Sequence, residues 1–461
     1  MKNINPEPQN RLASPYSKEA RMAFEKRRQE GSKKKKTIIY SLLIIIILVL
    51  SIYVVYNVWF LKQNIIVTNT GGAAPTLLTK NIEEISTQMV SKDGDTRINI
   101  VIAGIGGKGH KGGSLTDSLQ VLSIDPFNNK AAVVSLPRDF YLTLSNKTSA
   151  KLNTVYQTGD AQGAGKGGAL LKDEIGKILD LKIHYFVNID FAGFEQLIDS
   201  LGGVTINVDK AINDPFYPDE ALEGYAPFHI SAGKQLMNGK TALKYARSRK
   251  TTSDFDRSRR QQQLIVAVKD KALSLGVLAN PAKISEIVKI IGSHIKTDIQ
   301  LNEMQELAKR YKEIQSDSIE SQVIDNSKNG PLVDSSQFGS YGLIPKLGLN
   351  KFNEVQNFAH TILPDPKIIS EKATVEVKYI KGRTEEAQNI IDKLTSYGYT
   401  VTDGGIVKNL STEADSLIIR TTNAPFTSTY LTKRYPDFPL EKQSAAEGTP
   451  NFTFSLVEKI K

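Results

Sequence analysis

An α/β sandwich is the fold class this sequence predicts, and three observations predict it. Short β-branched runs alternate with helical patterns between Arg97 and Val208, as layered sheets and helices require. The chain, at 461 residues, is long enough for two or three domains and a full enzyme core. Cations gather where strands end and helices begin, at Arg138 and again from Arg247 to Arg260, the places where ligand-binding residues of such sheets collect.

Composition narrows the chemistry. Of the net charge of +10, residues 1–36 supply +7, from eleven Lys or Arg against four Glu. The excess is a tail and does not indicate a nucleic-acid surface. No cysteine is present, which excludes disulfides, thiolate catalysis and Cys-based metal sites.

Residues 1–36 are polar and end in Lys33-Lys34-Lys35-Lys36, and little fixed structure is expected there. Residues 37–61 are almost unbroken Ile, Leu and Val, with Tyr53, Tyr56 and Trp59 toward the far end. As a helix they span roughly 37 Å, enough to cross a bilayer. The run exceeds a signal-peptide core and lacks a small-residue cleavage site, so it predicts an uncleaved signal anchor. Lysines before it place the N-terminus in the cytoplasm and the bulk of the chain outside, where ATP and NAD are scarce.

After a linker with Gly71-Gly72 and Pro75, Arg97–Ala103 reads as a buried strand and Gly104–Gly113 as a glycine-rich loop. The loop contains GxGxxG, but strand Leu119–Ile124 follows instead of a helix, so the dinucleotide fingerprint fails. Turn glycines and a loop offering amides to another anion are equally good readings. Strand Ala131–Leu136 ends in Pro137-Arg138-Asp139. A helix over Gly168–Leu179, strand His184–Ile189, helix Ala192–Leu201 and strand Val204–Val208 follow. Beyond a Pro- and Tyr-rich insert, Gln235–Tyr245 reads as a short helix.

Six cations lie in the stretch from Tyr245 to Gln263. In an extended segment Arg247 and Arg249 point to one side. Ser253 or Asp254 reads as the N-cap of a helix running to Gly276, on which Arg257, Arg260 and Gln261 share a face. Guanidinium groups converging from two elements suit a phosphate or pyrophosphate, although a charge run alone reads more readily as a solvated face. Helices Pro281–Ile291 and Leu301–Tyr311 follow, and 335–366 reads as a packed extension or linker. From Ala373, strand Thr374–Tyr379, helix Glu385–Tyr397 and strands at Thr400–Thr402, Ser416–Arg420 and Phe452–Val457 predict a separate small α/β domain.

Together, Asp117, Arg138, Asp139, Lys151, Arg247, Arg249 and Arg257 compose a site for a magnesium pyrophosphate, with Asp117 as the Mg²⁺ ligand. His110 and His184 are candidate ligands or bases, but a lone His is more often structural.

The sequence resembles the LytR-CpsA-Psr family, whose members attach polymers to the Gram-positive cell wall. The resemblance rests on Asn99–Gly104, Thr116-Asp117-Ser118, Ser135-Leu-Pro-Arg138-Asp139, Lys151-Leu-Asn153, Gly202-Gly203-Val204, Asn238-Gly239, Tyr245-Ala-Arg247-Ser-Arg249, Asp254-Phe-Asp-Arg257 and Arg260-Gln261-Gln262, in family order. It implies a three-layer sandwich with a central mixed sheet and an apolar tunnel for a lipid tail. The activity it implies is transfer of a glycopolymer from a polyprenyl-pyrophosphate carrier to a peptidoglycan hydroxyl, releasing polyprenyl phosphate. Asp117, Arg138, Arg247 and Arg249 would be catalytic, with Mg²⁺ on Asp117. Arg257 would complete the pyrophosphate clamp, and Asp139, Lys151, Asn153, Arg260 and Gln261 would support substrate binding. Many members carry Asp where this chain has Gly106. A carboxylate is thus absent there, or His110 and the longer glycine loop replace it.

The resulting organisation is a cytoplasmic basic tail (1–36), a transmembrane signal anchor (37–61), a linker (62–94), a catalytic domain (95–315), an extension (316–371) and a C-terminal domain (372–461). A single-pass cell-membrane protein facing outward is expected. A lipid-pyrophosphate hydrolase and a non-catalytic lipid-carrier or wall-binding protein are the competing readings.

Overall fold

A computed structural model of the chain describes residues 96–457 except 111, 145–146, 220–223, 249–253, 278–279, 409–413 and 421–422. The expected tail, anchor and linker therefore lie outside the described residues, as do Arg249 and Ser253. No described helix is long and apolar enough to cross a membrane.

The core is a mixed six-stranded sheet built around β1 (Ile98–Ile105). Strands β2 (Thr116–Asp125) and β3 (Lys130–Ser135) continue from it as an antiparallel meander, and β4 (Tyr185–Asp190) lies parallel on its other side. The sequence of β1 alternates two apolar sets, and the pleat sends them to opposite faces. Val101 and Ala103 join Leu119, Val121, Ala132 and Val134 under helix α1 (Lys166–Leu179). Ile98 and Ile100 join Leu122, Ile124 and Val133 on the other face. With helices on both faces the sheet is the middle of three layers, and each fully buried aliphatic side chain contributes about 1.5–3 kcal/mol.

Helix α2 (Phe191–Ser200) follows β4 directly, and the Asp190 carboxylate accepts the Gly193 N–H at 2.8 Å as its N-cap. Strand β5 (Val204–Val208), expected in the sandwich, instead pairs with β6 (Gly233–Met237) as a separate two-stranded ribbon. Gln235-Leu-Met237 is therefore strand, not the start of a helix. Helix α3 (Gly239–Arg247) begins after it, with the Asn238 side chain accepting from Thr241 N at 2.9 Å. A Cβ at Gly239 would lie 2.3 Å from the Glu195 carbonyl, so glycine there lets α3 pack directly on α2. The long α4 (Asp254–Ser274) and α6 (Leu301–Glu313) complete the second face, to which Ile265, Met304 and Leu307 contribute, while α5 (Pro281–Ile291) packs through Ile287 beside α2 and the end of α4.

Two strands outside the expected set extend the sheet: β7 (Ile295–Thr297) antiparallel to β4, and β8 (Ile319–Val323) parallel to β3. The order is β7-β4-β1-β2-β3-β8. The segment read as an extension packs tightly: a hairpin of 332–335 with 342–345 and helix α7 (Asn353–Ile362) cover the α1 face.

A second sheet of five strands follows, made of β9 (Thr374–Tyr379), β10 (Thr400–Ile406), β11 (Ser416–Ile419), β12 (Leu440–Lys442) and β13 (Phe452–Leu456) in the order β10-β9-β13-β11-β12. It carries α8 (Thr384–Ser396) and α9 (Pro425–Arg434) and has its own apolar core. Asp180, at the end of α1, ties it to the rest. Its carboxylate takes Lys393 Nζ at 3.0 Å, the Tyr397 hydroxyl and Arg434, while its carbonyl accepts from His360 Nε2 at 3.1 Å.

Candidate functional site

The ends of β2 and β3, the C-terminus of α3 and the first turns of α4 meet at one end of the sheet. On β2, Ser118, Gln120 and Leu122 fall on one face by the period of two, so the wall grades from polar to apolar going inward. They line a cavity of about 680 Å³ between the second sheet face and α4. Its interior is apolar, with Ile102, Val187, Leu264, Ile265 and Val268 among the lining residues, and its mouth carries Asp117, Arg247, Arg257 and Gln261.

Arg138 follows β3 through Pro137 and reaches two carboxylates: its Nη1 lies 2.6 Å from Asp117 Oδ1 and its Nε 3.4 Å from Asp139 Oδ2. Lys151 Nζ closes the chain at 3.0 Å from Asp139 Oδ1. Asn153 is tied in through its backbone, its N–H donating to the Arg138 carbonyl at 3.0 Å and its carbonyl accepting from Thr116 Oγ1 at 3.2 Å. A smaller cleft between Arg138 and Arg257 shares Asp117, Ser118 and Gln261 with the main cavity.

Arg247 is the last residue of α3 rather than part of an extended segment. Its guanidinium lies 4.1 Å from the centre of the Phe191 ring and donates to the Tyr217 hydroxyl at 3.2 Å. That aromatic bed holds the charge in place without neutralising it. Arg257, buried, and Gln261 line the cavity from α4 at i, i+4 spacing. Gln261 Oε1 accepts from Ser118 Oγ at 2.8 Å and its Nε2 donates to the Ala246 carbonyl at 3.3 Å, bridging sheet and helix.

Arg260 has a different part. Its Nε donates to the Tyr245 carbonyl at 2.9 Å and its Nη2 to the Ser248 carbonyl, so it holds the end of α3 and is absent from the cavity wall. Burial lowers its pKa. Tyr217 and Phe191 were not singled out from sequence as site residues; Tyr217 sits in the irregular Pro-rich insert, whose course is set by tertiary contacts.

The glycine loop is a hairpin connection between β1 and β2. Its amides bond internally, Gly107 N to Gly113 O at 2.8 Å and Gly113 N to His110 O at 2.9 Å, which favours turn glycine over an anion cradle. A Cβ at Gly106 would stand 3.0 Å from His110 Cβ, so His110 fills the space beside that position. The His110 ring packs edge-on against Phe191 at 5.1 Å. His184 is structural: burial pushes its pKa down to about 3, and its Nδ1 accepts the Asn99 N–H at 3.1 Å.

Among the described residues no cluster of three or more His, Asp or Glu could hold a metal by itself. A magnesium ion needs only one or two carboxylates when substrate phosphate and water complete its octahedron. Asp117 is half-exposed with one oxygen on Arg138. A single carboxylate at the cavity mouth fits such an ion.

The profile of the LytR_cpsA_psr family matches residues 65–347. The chain is similar to the polyisoprenyl-teichoic acid–peptidoglycan teichoic acid transferase TagU of Oceanobacillus iheyensis, with 31% identity over 218 residues, covering 46% of this chain and 62% of that protein. TagV of Bacillus subtilis, also a polyisoprenyl-teichoic acid–peptidoglycan teichoic acid transferase, is 32% identical over 229 residues, covering 48% of this chain and 54% of its own. TagU of Bacillus subtilis is 28% identical over 264 residues, covering 54% and 79%. The match thus spans less than two thirds of the first and second of these proteins. Since the family profile covers more than half of the sequence and takes in every residue of the cavity and its mouth, this chain belongs to the LytR-CpsA-Psr family.

Proposed function

We propose that the protein is a phosphotransferase that moves a glycopolymer from a polyprenyl-pyrophosphate carrier to a peptidoglycan hydroxyl. The observation that carries this reading is the cavity: an apolar interior of about 680 Å³ behind a mouth bearing Asp117, Arg247 and Arg257, with Arg138 paired to Asp117 in the adjoining cleft. Such a shape fits a ligand with a hydrocarbon tail and a phosphorylated head. The similarity to TagU and TagV, transferases that join polyisoprenyl-teichoic acid to peptidoglycan, supports the same substrate class.

In the reaction, the acceptor hydroxyl releases its proton to solvent as its oxygen bonds to the sugar-bearing phosphorus, the bond from that phosphorus to the bridging oxygen breaks, and polyprenyl phosphate leaves. Phosphoryl transfer depends mainly on positioning and charge compensation. Arg138, Arg247, Arg249 and Arg257 orient the pyrophosphate and offset charge on the departing phosphate. Asp139 and Lys151 hold Arg138 at its angle, and Gln261 keeps sheet and helix in register at the mouth. Mg²⁺, held by Asp117, would supply further neutralisation of phosphate charge. The 37–61 anchor, with the N-terminus in the cytoplasm, would hold the cavity at the outer face of the cell membrane, where the carrier resides.

The test is incubation of the full-length protein in detergent with a polyprenyl-pyrophosphate-linked glycan and Mg²⁺, with and without peptidoglycan. Linked product that depends on acceptor and disappears in Arg138→Ala is expected. Polyprenyl phosphate release indifferent to acceptor would make the protein a hydrolase, and tight lipid binding without turnover would make it a carrier.

A further inference from the structure

Among the described residues, the carboxylates that line the cavity belong to Asp117, Asp190 and Asp214. Asp117 is paired with the permanently charged Arg138. Asp214 is buried, accepting from Ser248 Oγ at 2.7 Å and Phe216 N at 3.2 Å. Asp190 differs from both, because its partners are a backbone amide and an imidazole: Oδ1 accepts from Gly193 N at 2.8 Å, and Oδ2 lies 2.8 Å from His294 Nδ1. Capping α2 requires only the first of these oxygens. The second is held by an imidazole where a fixed cation would have neutralised it, and the pair is partly open to solvent.

Strand register sets where this carboxylate stands. Ile105, at the end of β1, pairs with Asp190 of β4 on one side and with Thr116 of β2 on the other. Asp190 and Asp117 therefore share one end of the sheet, two strand spacings or roughly 10 Å apart. Strand β7 begins at that end too, which brings His294, just before it, beside Asp190. The glycine loop approaches the same carboxylate through Gly107, whose φ is +82° and where a Cβ would lie 3.0 Å from Asp190 Oδ2. Arg247, over the ring of the next residue, Phe191, faces the mouth from this flank. Phosphates gripped by Arg138 and Arg247 would thus have a carboxylate on each side, Asp117 committed to cations and Asp190 not.

We infer that Asp190 is the general base of the transfer and that His294 positions it; the inference rests on the transferase reading above. As the acceptor oxygen bonds to phosphorus, its O–H proton passes to the Asp190 carboxylate. The carboxylic acid so formed then gives that proton to water, which regenerates the base. Phosphoryl transfer relies on orientation of the acceptor more than on a strong base, and an Asp carboxylate takes the acceptor proton in protein kinases as well. His294, donating through Nδ1–H, fixes Oδ2, while Gly193 N–H fixes Oδ1. Neighbouring groups do not compete for this part. Arg247 stays charged and cannot take a proton, and His110 packs edge-on against Phe191 outside the cavity wall.

Asp190→Asn removes the base and keeps the cap, because Asn caps a helix as well as Asp does. Full-length wild type and variant in detergent are compared on a polyprenyl-pyrophosphate-linked glycan with Mg²⁺ and peptidoglycan. The variant is expected to lose about 10²-fold in kcat, with binding of the lipid-linked glycan and the thermal midpoint unchanged. His294→Ala is expected to lose about ten-fold in kcat at unchanged KM, and His294→Asn, which sets an amide N–H in the place of Nδ1, to regain most of it. An undiminished rate in Asp190→Asn, or a loss matched by equally weakened lipid binding, overturns the base assignment and leaves the transferase reading standing. Absence of linked product from wild type overturns both.

Discussion

Arg138 reaches two carboxylates through different nitrogens of its planar fork, Nη1 toward Asp117 and Nε toward Asp139. Arg138→Lys keeps the charge and loses the fork. Arg138→Ala is expected to lower turnover about 10²–10³-fold, and Lys to recover only a small part of it, as read from initial rates of polyprenyl phosphate release. Arg260 has the same side chain in a different setting, buried on two carbonyls. Arg260→Ala removes charge-assisted bonds and is expected to destabilise the fold by about 2 kcal/mol in denaturant melts. The sequence reading gave Arg138 a catalytic role and Arg260 a part in substrate binding. Helical spacing put Arg257, Arg260 and Gln261 on one side, which is correct to within a turn, but a guanidinium can reach neighbours on either flank of that side.

At the scale of elements, the glycine loop shows how backbone requirements decide local structure. A Cβ at Gly113 would lie 2.1 Å from the Gly107 carbonyl, which cannot move away because Gly107 N donates to Gly113 O. Gly113→Ala is expected to open this connection at a stability loss of about 1–3 kcal/mol, measured by urea unfolding. Strands β1, β2 and β3 are legible within a few residues because they are nearly continuous apolar runs buried on both faces, and helices α1, α2 and α4 because their apolar residues recur at helical spacing. Helix α9 was missed for a physical reason: Pro-Phe-Thr-Ser-Thr-Tyr-Leu-Thr-Lys-Arg is rich in residues that favour strands, and only packing of Phe426, Tyr430 and Leu431 on the second sheet makes it helical. Gln235–Met237 failed in the opposite sense, because its partner β5 lies far off in sequence.

For the whole molecule, the junction at Asp180 governs how the two sheets hold together. Burial would raise its carboxyl pKa, but Arg434 and Lys393 lower it to about 2 from 3.8. A lowered carboxyl stabilises the fold above its unfolded value, and that contribution, about 2 kcal/mol, is lost as pH falls from about 4 to 2. His360, stacked on Tyr397, and His184 are held neutral, burial taking each to about 3 from 6.5. The unfolded chain binds protons below pH 6.5 that the fold does not, so stability declines by about 1.4 kcal/mol per pH unit for each imidazole. A thermal midpoint that falls between pH 7 and 5, with a shallower fall in His360→Phe, is the expected result. A midpoint independent of pH over this range would contradict it.

The sequence by itself determined the layered α/β class, the elements of the central meander, the family resemblance and most of the residues around the cavity mouth. These follow from local periodicity and from motifs in which neighbouring residues act together. Only tertiary structure decided that Arg138 pairs with Asp117, that Arg247 lies on Phe191 and Tyr217, that Arg260 braces the backbone, and that β7 and β8 close the sheet. Each of those outcomes joins segments distant along the chain, so it depends on packing and desolvation that no short stretch encodes.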